Sequence, residues 1–274
     1  MAERDIKDWR TVAAPTRPGR VATPRSPLSP MPDSPPGPPA GRPPAGFSLP
    51  HAASLVRAAI PPMHPGGRPI VATVAAAAGL VRAVTGRGAF AGALATAATA
   101  AFFRNPRRVR PPLTGVVLAA ADGTVATVST VLPPAELDLP QKPVPRVSVF
   151  LSVLDVHVQR IPVDGRVVDV QYRPGVFLSA DLDKASEDNE RNAVLIRTAD
   201  GVHVGVVQIA GLLARRIVCD VAPGDEVAAG ETYGLIRFGS RVDVYLPPGS
   251  QVTVAAGQRT IGGETVLAEL PGGG

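Results

Sequence analysis

The sequence is short of the residues on which most binding and catalytic modules rely. Aromatic side chains make up only 4% of its 274 residues, and the basic residues are not interleaved with them. The stacking platform of a single-strand nucleic-acid binder is therefore missing, and no nucleic-acid partner is expected. Lysine occurs only at Lys7, Lys142 and Lys184, which leaves few amines for side-chain Schiff-base catalysis. Cys219 stands alone; this excludes an intrachain disulfide and a cysteine-rich metal site and is consistent with a reducing compartment. No apolar run follows Met1-Ala2-Glu3-Arg4-Asp5, so no secretory signal is expected.

What the chain does have is arginine and proline. The formal charge is +5 and the pI about 10, which points to an anionic partner, and with nucleic acid set aside that partner is an anionic membrane surface. Residues 1–66 hold runs such as Pro35-Pro36-Gly37-Pro38-Pro39, separated by Arg17, Arg20, Arg25 and Arg42. Such a composition cannot build a core and reads as a disordered basic tail, with a PxxP-type ligand as the alternative use.

Residues 67–103 turn apolar and alanine-rich, and Thr85-Gly86-Arg87-Gly88 breaks them into arms at Ile70–Val84 and Gly88–Phe103. As helices, arms of this length reach about 22–24 Å, short of the ~30 Å hydrocarbon core. A shallow membrane-associated hairpin is expected. Arg68 before it and Arg104, Arg107, Arg108 and Arg110 after it place both ends on the cytoplasmic side of the cell membrane. An alanine-rich helical pair packed on a soluble domain is the alternative.

From residue 104 to about 270 the pattern is mainly β. Strands are expected at Val116–Leu118, Val125–Val131, Val147–Leu154, Gly165–Tyr172, Asn192–Thr198 and Val202–Ile209, the last two joined by a hairpin at Ala199-Asp200-Gly201. The polar stretch Asp181–Asn192 interrupts them as a loop or short helix. An internal echo follows: Val221-Ala222-Pro223-Gly224 with Gly230-Glu231-Thr232, then Val254-Ala255-Ala256-Gly257 with Gly263-Glu264-Thr265, at shared spacing. It resembles the paired hammerheads of biotinyl and lipoyl carrier domains, so a carrier-like β-barrel or sandwich is expected. No lysine stands between the two halves, which rules out the carriers' covalent chemistry.

Between those halves lies Arg237-Phe238-Gly239-Ser240-Arg241, at the start of the apolar alternation Val242, Val244, Leu246. A serine after a glycine can attack the preceding carbonyl, because glycine has no Cβ to obstruct the approach and tolerates strained dihedrals. The peptide then becomes an ester, and elimination and hydrolysis leave a pyruvoyl group on the new N-terminus.

Taken in order, Phe102-Phe103-Arg104-Asn105-Pro106, Ala121-Asp122-Gly123, Leu154-Asp155-Val156-His157, Asn189-Glu190-Arg191-Asn192, Gln208-Ile209-Ala210-Gly211 and Phe238-Gly239-Ser240-Arg241 resemble the short form of the phosphatidylserine decarboxylase family. The resemblance implies a proenzyme that cuts itself between Gly239 and Ser240. The products would be a β chain of residues 1–239 and an α chain of residues 240–274, held together as a heterodimer and capped by a pyruvoyl cofactor derived from Ser240. It implies decarboxylation of phosphatidylserine to phosphatidylethanolamine. His157 is the expected base and later acid, and the resemblance assigns Asp122 to orient it; no metal is expected. Asp155, two residues from His157, is the local rival for the carboxylate. Longer family members carry a second histidine where this chain has Arg160, so His157 either serves both steps or shares them with a water or main-chain group. Two other readings stand beside this one: a membrane-tethered, non-catalytic β module that binds a protein, and a pyruvoyl decarboxylase of a soluble amino acid.

Overall fold

A computed structural model describes residues 61–175, 189–211, 216–237 and 240–272. The tail up to residue 60, most of the polar 181–192 stretch and Gly239 lie outside these residues.

Two apolar helices come first, α1 (Arg68–Thr85) and α2 (Ala89–Phe102). Gly86 stops α1 in the left-handed region, φ 66°, and its N–H bonds the Arg82 carbonyl, a cap that an L side chain rarely adopts. The helices fold back on each other with Gly92 against Ala78, where an added Cβ would lie 2.6 Å from the alanine methyl. Their outer surface is apolar and exposed, with Leu80, Val84, Phe90 and Leu94 all more than half accessible. Residues 65–85 are long and apolar enough to cross a membrane by length and composition.

The base of this hairpin is tied down more firmly than the composition of residues 1–66 suggests. His64 N–H bonds Phe103 O (2.9 Å), Asn105 N–H bonds Pro62 O (2.7 Å), and the buried His64 ring meets Asp220 Oδ2 at 3.0 Å. Residues 62–66 are thus part of the folded domain. A proline-rich composition could not reveal contacts made with residues as distant in sequence as Phe103, Asn105 and Asp220.

The rest is mainly β, as expected. In chain order the strands are β1 (Val116–Leu118), β2 (Gly123–Val131), β3 (Val144–Leu151), β4 (Val158–Arg160), β5 (Gly165–Arg173), β6 (Arg191–Arg197) and β7 (His203–Ala210). They continue as β8 (Ile217–Cys219), β9 (Glu226–Val227), β10 (Thr232–Ile236), β11 (Ser240–Tyr245), β12 (Gln251–Val252), β13 (Arg259–Thr260) and β14 (Val266–Glu269). Eight of them form one curled half-barrel sheet in the order β13-β2-β3-β11-β7-β6-β5-β9; β1-β14-β12 and β4-β10-β8 are smaller sheets. Valine, isoleucine and leucine from the inward faces make the main core, as alternation along half-buried strands requires.

The echo found in the sequence extends through this whole domain. β2 and β5 carry matching irregularities against β3 and β6, between Val125 and Thr127 and between Val167 and Asp169. Gly257 N–H bonds Val125 O and Gly224 N–H bonds Val167 O, both at 2.8 Å; Gly263 bonds Ala119 O and Gly230 bonds Ile161 O, again at 2.8 Å. The sheet order itself is palindromic about the β11–β7 pair. The expected strand-turn units are therefore present as the two ends of one continuous sheet, related by a pseudo-twofold passing between β11 and β7.

Candidate active site

Ser240 opens β11, the strand at the centre of the sheet. It pairs with Leu151 of β3 on one side and Ala210 of β7 on the other. Because side chains alternate, Ser240 shares the core face with Val242 and Val244. It is fully buried, and its Oγ makes no hydrogen bond among the described residues. An unsatisfied buried hydroxyl costs about 1–3 kcal/mol; Ser148 Oγ and Tyr233 OH share that condition in this domain, and what sets Ser240 apart is its place at the head of the central strand, after Gly239.

His157 reaches the same end of the sheet by two routes. The turn after Leu151 runs through Ser152–Asp155 into it, and its carbonyl accepts from Ile236 N–H (3.2 Å), four residues before Ser240. The ring is 1% exposed and packs on Phe102, centroids 4.1 Å apart. Burial pushes its pKa down to about 4, only partly offset by the Asp155 carbonyl and carboxylate. Nδ1 lies 3.0 Å from the Asp155 carbonyl oxygen. A carbonyl can only accept, so the ring's proton is on Nδ1 and Nε2 is its basic nitrogen. A neutral imidazole in this tautomer is a competent base.

Behind His157 lies a set of buried amides. Gln159 Nε2 donates to the His157 carbonyl (2.9 Å), Gln208 Nε2 donates to Gln159 Oε1 (3.1 Å), and Asn192 Nδ2 donates to Gln208 Oε1 (3.1 Å). Gln208 is the cross-strand partner of Val242, beside Ser240. Sequence reasoning gave Gln159 no role; Asn192 and Gln208 stood out only as parts of motifs.

The two carboxylates separate. Asp155 is not on a strand with His157, as local spacing suggested, but in the preceding turn, and its carboxylate accepts from Ser152 N–H and Oγ–H (2.8 Å each) and from Arg259 (2.5 Å). Burial acts to raise its pKa, but the bonds from Arg259 and Ser152 outweigh that and leave it lowered. Asp122 lies across β3 from Ser240: Thr124 and Arg241 both pair with Phe150, one on each edge, about two strand spacings or ~10 Å apart. Its carboxylate accepts from Arg108 (2.6 Å) and from Gly262 N–H (2.8 Å), not from His157. Burial raises its pKa, with the Gly262 bond and the Arg108 charge opposing. Arg160, at the place of the longer members' second histidine, faces the Asp122 side, where its guanidinium donates to Gly230 O, Asn105 Oδ1 and Pro106 O, each at 2.7 Å. The structure thus brings His157 and Ser240 to one end of the sheet and sets Asp122 two strands away, across β3, with no hydrogen bond linking Ser240 Oγ to either among the described residues.

Residues 95–268 match the family model described as phosphatidylserine decarboxylase. The chain belongs to the phosphatidylserine decarboxylase family. A protein of Saccharopolyspora erythraea named phosphatidylserine decarboxylase proenzyme is 60% identical over 222 residues, covering 81% of this chain and 94% of the relative. Relatives of the same name from Mycobacterium marinum (58%, covering 81% of this chain and 92% of the relative) and Mycolicibacterium vanbaalenii (55%, covering 85% and 99%) agree. The chain is accordingly a decarboxylase-family enzyme, a lyase of phospholipid biosynthesis, as the ordered motifs implied.

Proposed function

We propose that this chain is a self-processing proenzyme whose mature form decarboxylates phosphatidylserine to phosphatidylethanolamine and carbon dioxide. The observation that carries the reading is the buried, uncommitted Ser240 hydroxyl at the head of the central strand, close in the fold to a neutral histidine. In the proposed maturation Nε2 of His157 takes the Ser240 proton, and Oγ adds to the Gly239 carbonyl. The Gly239–Ser240 peptide bond becomes an ester and the serine nitrogen a free amine. Elimination then releases Gly239 as a carboxylate, and hydrolysis with loss of ammonia leaves a pyruvoyl group at residue 240.

The orphaned Ser240 hydroxyl fits such a group, which supplies an electron-accepting carbonyl beside the amine of the substrate. His157 is then placed to return a proton to the carbon that has lost carbon dioxide. Asp122 is the third proposed member. It is engaged with Arg108 in the uncut chain, so orienting the histidine requires it to leave that arginine.

The proposed products stay associated. β11 lies between β3 and β7, β13 pairs with β2, β14 pairs with β1, and the Arg259–Asp155 ion pair joins the two chains. The exposed apolar hairpin, flanked by arginines, supports docking on the cytoplasmic face of an anionic membrane, which favours a lipid substrate over a soluble amino acid.

Intact-mass measurement of the purified protein tests the reading. A fragment beginning at residue 240 with a carbonyl-reactive terminus is expected, and Ser240→Ala should remain uncut and inactive. An active preparation consisting of one intact chain would overturn it.

A further inference from the structure

Arg216 and Arg237 face each other where β8 and β10 end. Ile217 pairs with Ile236, and the Arg237 N–H extends the ladder to the Arg216 carbonyl at 3.2 Å. Directly opposed residues of an antiparallel pair project to one face with Cβ atoms about 5 Å apart, and like charges placed so repel. The neighbouring arginines are already committed. Arg241 holds Asp243 in two bonds of 2.6 and 2.8 Å, Arg108 holds Asp122, Arg259 holds Asp155, and Arg104 and Arg160 donate to uncharged oxygens. Arg216 and Arg237 form no ion pair among the described residues. Among the described residues the Arg237 side chain donates only a long bond, 3.3 Å, to Gly66 O, and its buried Nε has no hydrogen-bond partner there. Burial and the Arg216 charge both disfavour its cation. A repelling pair with an unspent buried donor is stabilised by an anion between its members.

The position of the pair points to an anion of the substrate. Arg237 is three residues from Ser240, within about 10 Å along the chain, and follows Ile236, whose N–H bonds the His157 carbonyl. We propose that Arg216 and Arg237 form an oxyanion site that receives the phosphate or the carboxylate of the substrate head group. The inference rests on the reading of the chain as a phosphatidylserine decarboxylase and adds to it the residues that hold the head group. Both groups are planar-faced or tetrahedral oxyanions of the kind arginine forks bind in two-point fashion. The amine that must reach residue 240 sits on the same carbon as the carboxylate and a few bonds from the phosphate.

The first measurement does not depend on turnover. Glycerophosphoserine is titrated against uncut Ser240→Ala protein and against the same protein carrying Arg237→Gln or Arg216→Gln, with circular dichroism as the check on folding. A loss of affinity of about tenfold or more in each double variant is expected; equal affinity in all three proteins overturns the site. The second measurement uses the self-cleaving Arg237→Gln and Arg216→Gln enzymes on phosphatidylserine in detergent micelles. KM should rise about tenfold with kcat within a few-fold, Arg237→Lys should recover part of the loss, and an unchanged KM in matured variants counts against the proposal. Inhibition by phosphatidylethanolamine, which keeps the phosphate and lacks the carboxylate, separates the two anions: it weakens in parallel with KM if the phosphate is held and stays constant if the carboxylate is. Should the wild type decarboxylate no phosphatidylserine while glycerophosphoserine binding still depends on both arginines, the reaction fails and the anion site stands.

Discussion

Asp122 and Asp164 occupy equivalent places in the two halves of the domain. Each precedes the glycine that opens a long strand, each accepts a 2.8 Å bond from a backbone N–H of a matching turn (Gly262 for Asp122, Ala229 for Asp164), and each meets an arginine, Arg108 or Arg110. One half therefore shows what such a latch does without a neighbouring serine or histidine. The same bond in the other half has a structural use whatever else Asp122 does.

That pairing separates the carboxylates by experiment. Asp164→Asn, largely exposed, measures the latch alone and should leave cleavage at Gly239–Ser240 near the wild-type rate. Asp122→Asn weakens the bond to Arg108 as well, at about 1–3 kcal/mol of stability, and if Asp122 orients His157 it should also slow maturation by orders of magnitude. Asp155→Asn is the third arm. Precursor accumulating in Asp155→Asn but not in Asp122→Asn would transfer the orienting role to Asp155.

The base of the hairpin gives a boundary test. A chain lacking residues 1–60 should mature and act on micellar substrate at near wild-type rates, because the composition of that stretch cannot support a core. A chain lacking residues 1–66 loses His64, its bond to Phe103 O and its contact with Asp220. It should melt several degrees lower and cleave more slowly, since Phe103 and the adjacent Phe102, on which His157 rests, lose their support. Equal melting temperatures for the two truncations would contradict this account.

The depressed pKa of His157 predicts the pH response. With a folded value of about 4 against ~6.5 in the unfolded chain, the folded state prefers the neutral ring. Its contribution to stability is complete above about pH 6.5 and is lost as the pH falls toward 4. Self-cleavage should hence be insensitive to this group from about pH 8 down to 6 and decline only near pH 5 and below. A maturation rate that halves near pH 6.5 would mean that the ring titrates as an exposed histidine.

The buried amides predict a long-range effect. Gln208→Leu preserves bulk but strands Gln159 Oε1 in the interior, at about 1–3 kcal/mol at most, and leaves Asn192 Nδ2 with the Cys219 sulfur in place of Gln208 Oε1. Thermal melting should fall, and maturation should slow because the His157 backbone is no longer held through Gln159. The variant that melts lower yet cleaves at the wild-type rate would confine the amides to stability.

The Gly-Ser dipeptide, the apolar arms and the halves of the echo were legible in the sequence because each is local: two adjacent residues, a glycine break between alanine runs, a repeated spacing. Local patterns also placed strand ends within a few residues, as at Gly165–Tyr172 against the observed Gly165–Arg173. The tertiary structure alone decided how charges and buried amides pair, because those partners come from distant strands. It joined Asp155 to Arg259, Asp122 to Arg108 and Gly262, and Gln159 to Gln208, and it left Arg216 and Arg237 facing each other. It also turned residues 62–66 from tail into anchor. A side chain's chemistry follows from its residue type, but its protonation and its partners depend on burial and on what the folded chain brings within about 3 Å, and neither is written in the spacing of residues along one segment.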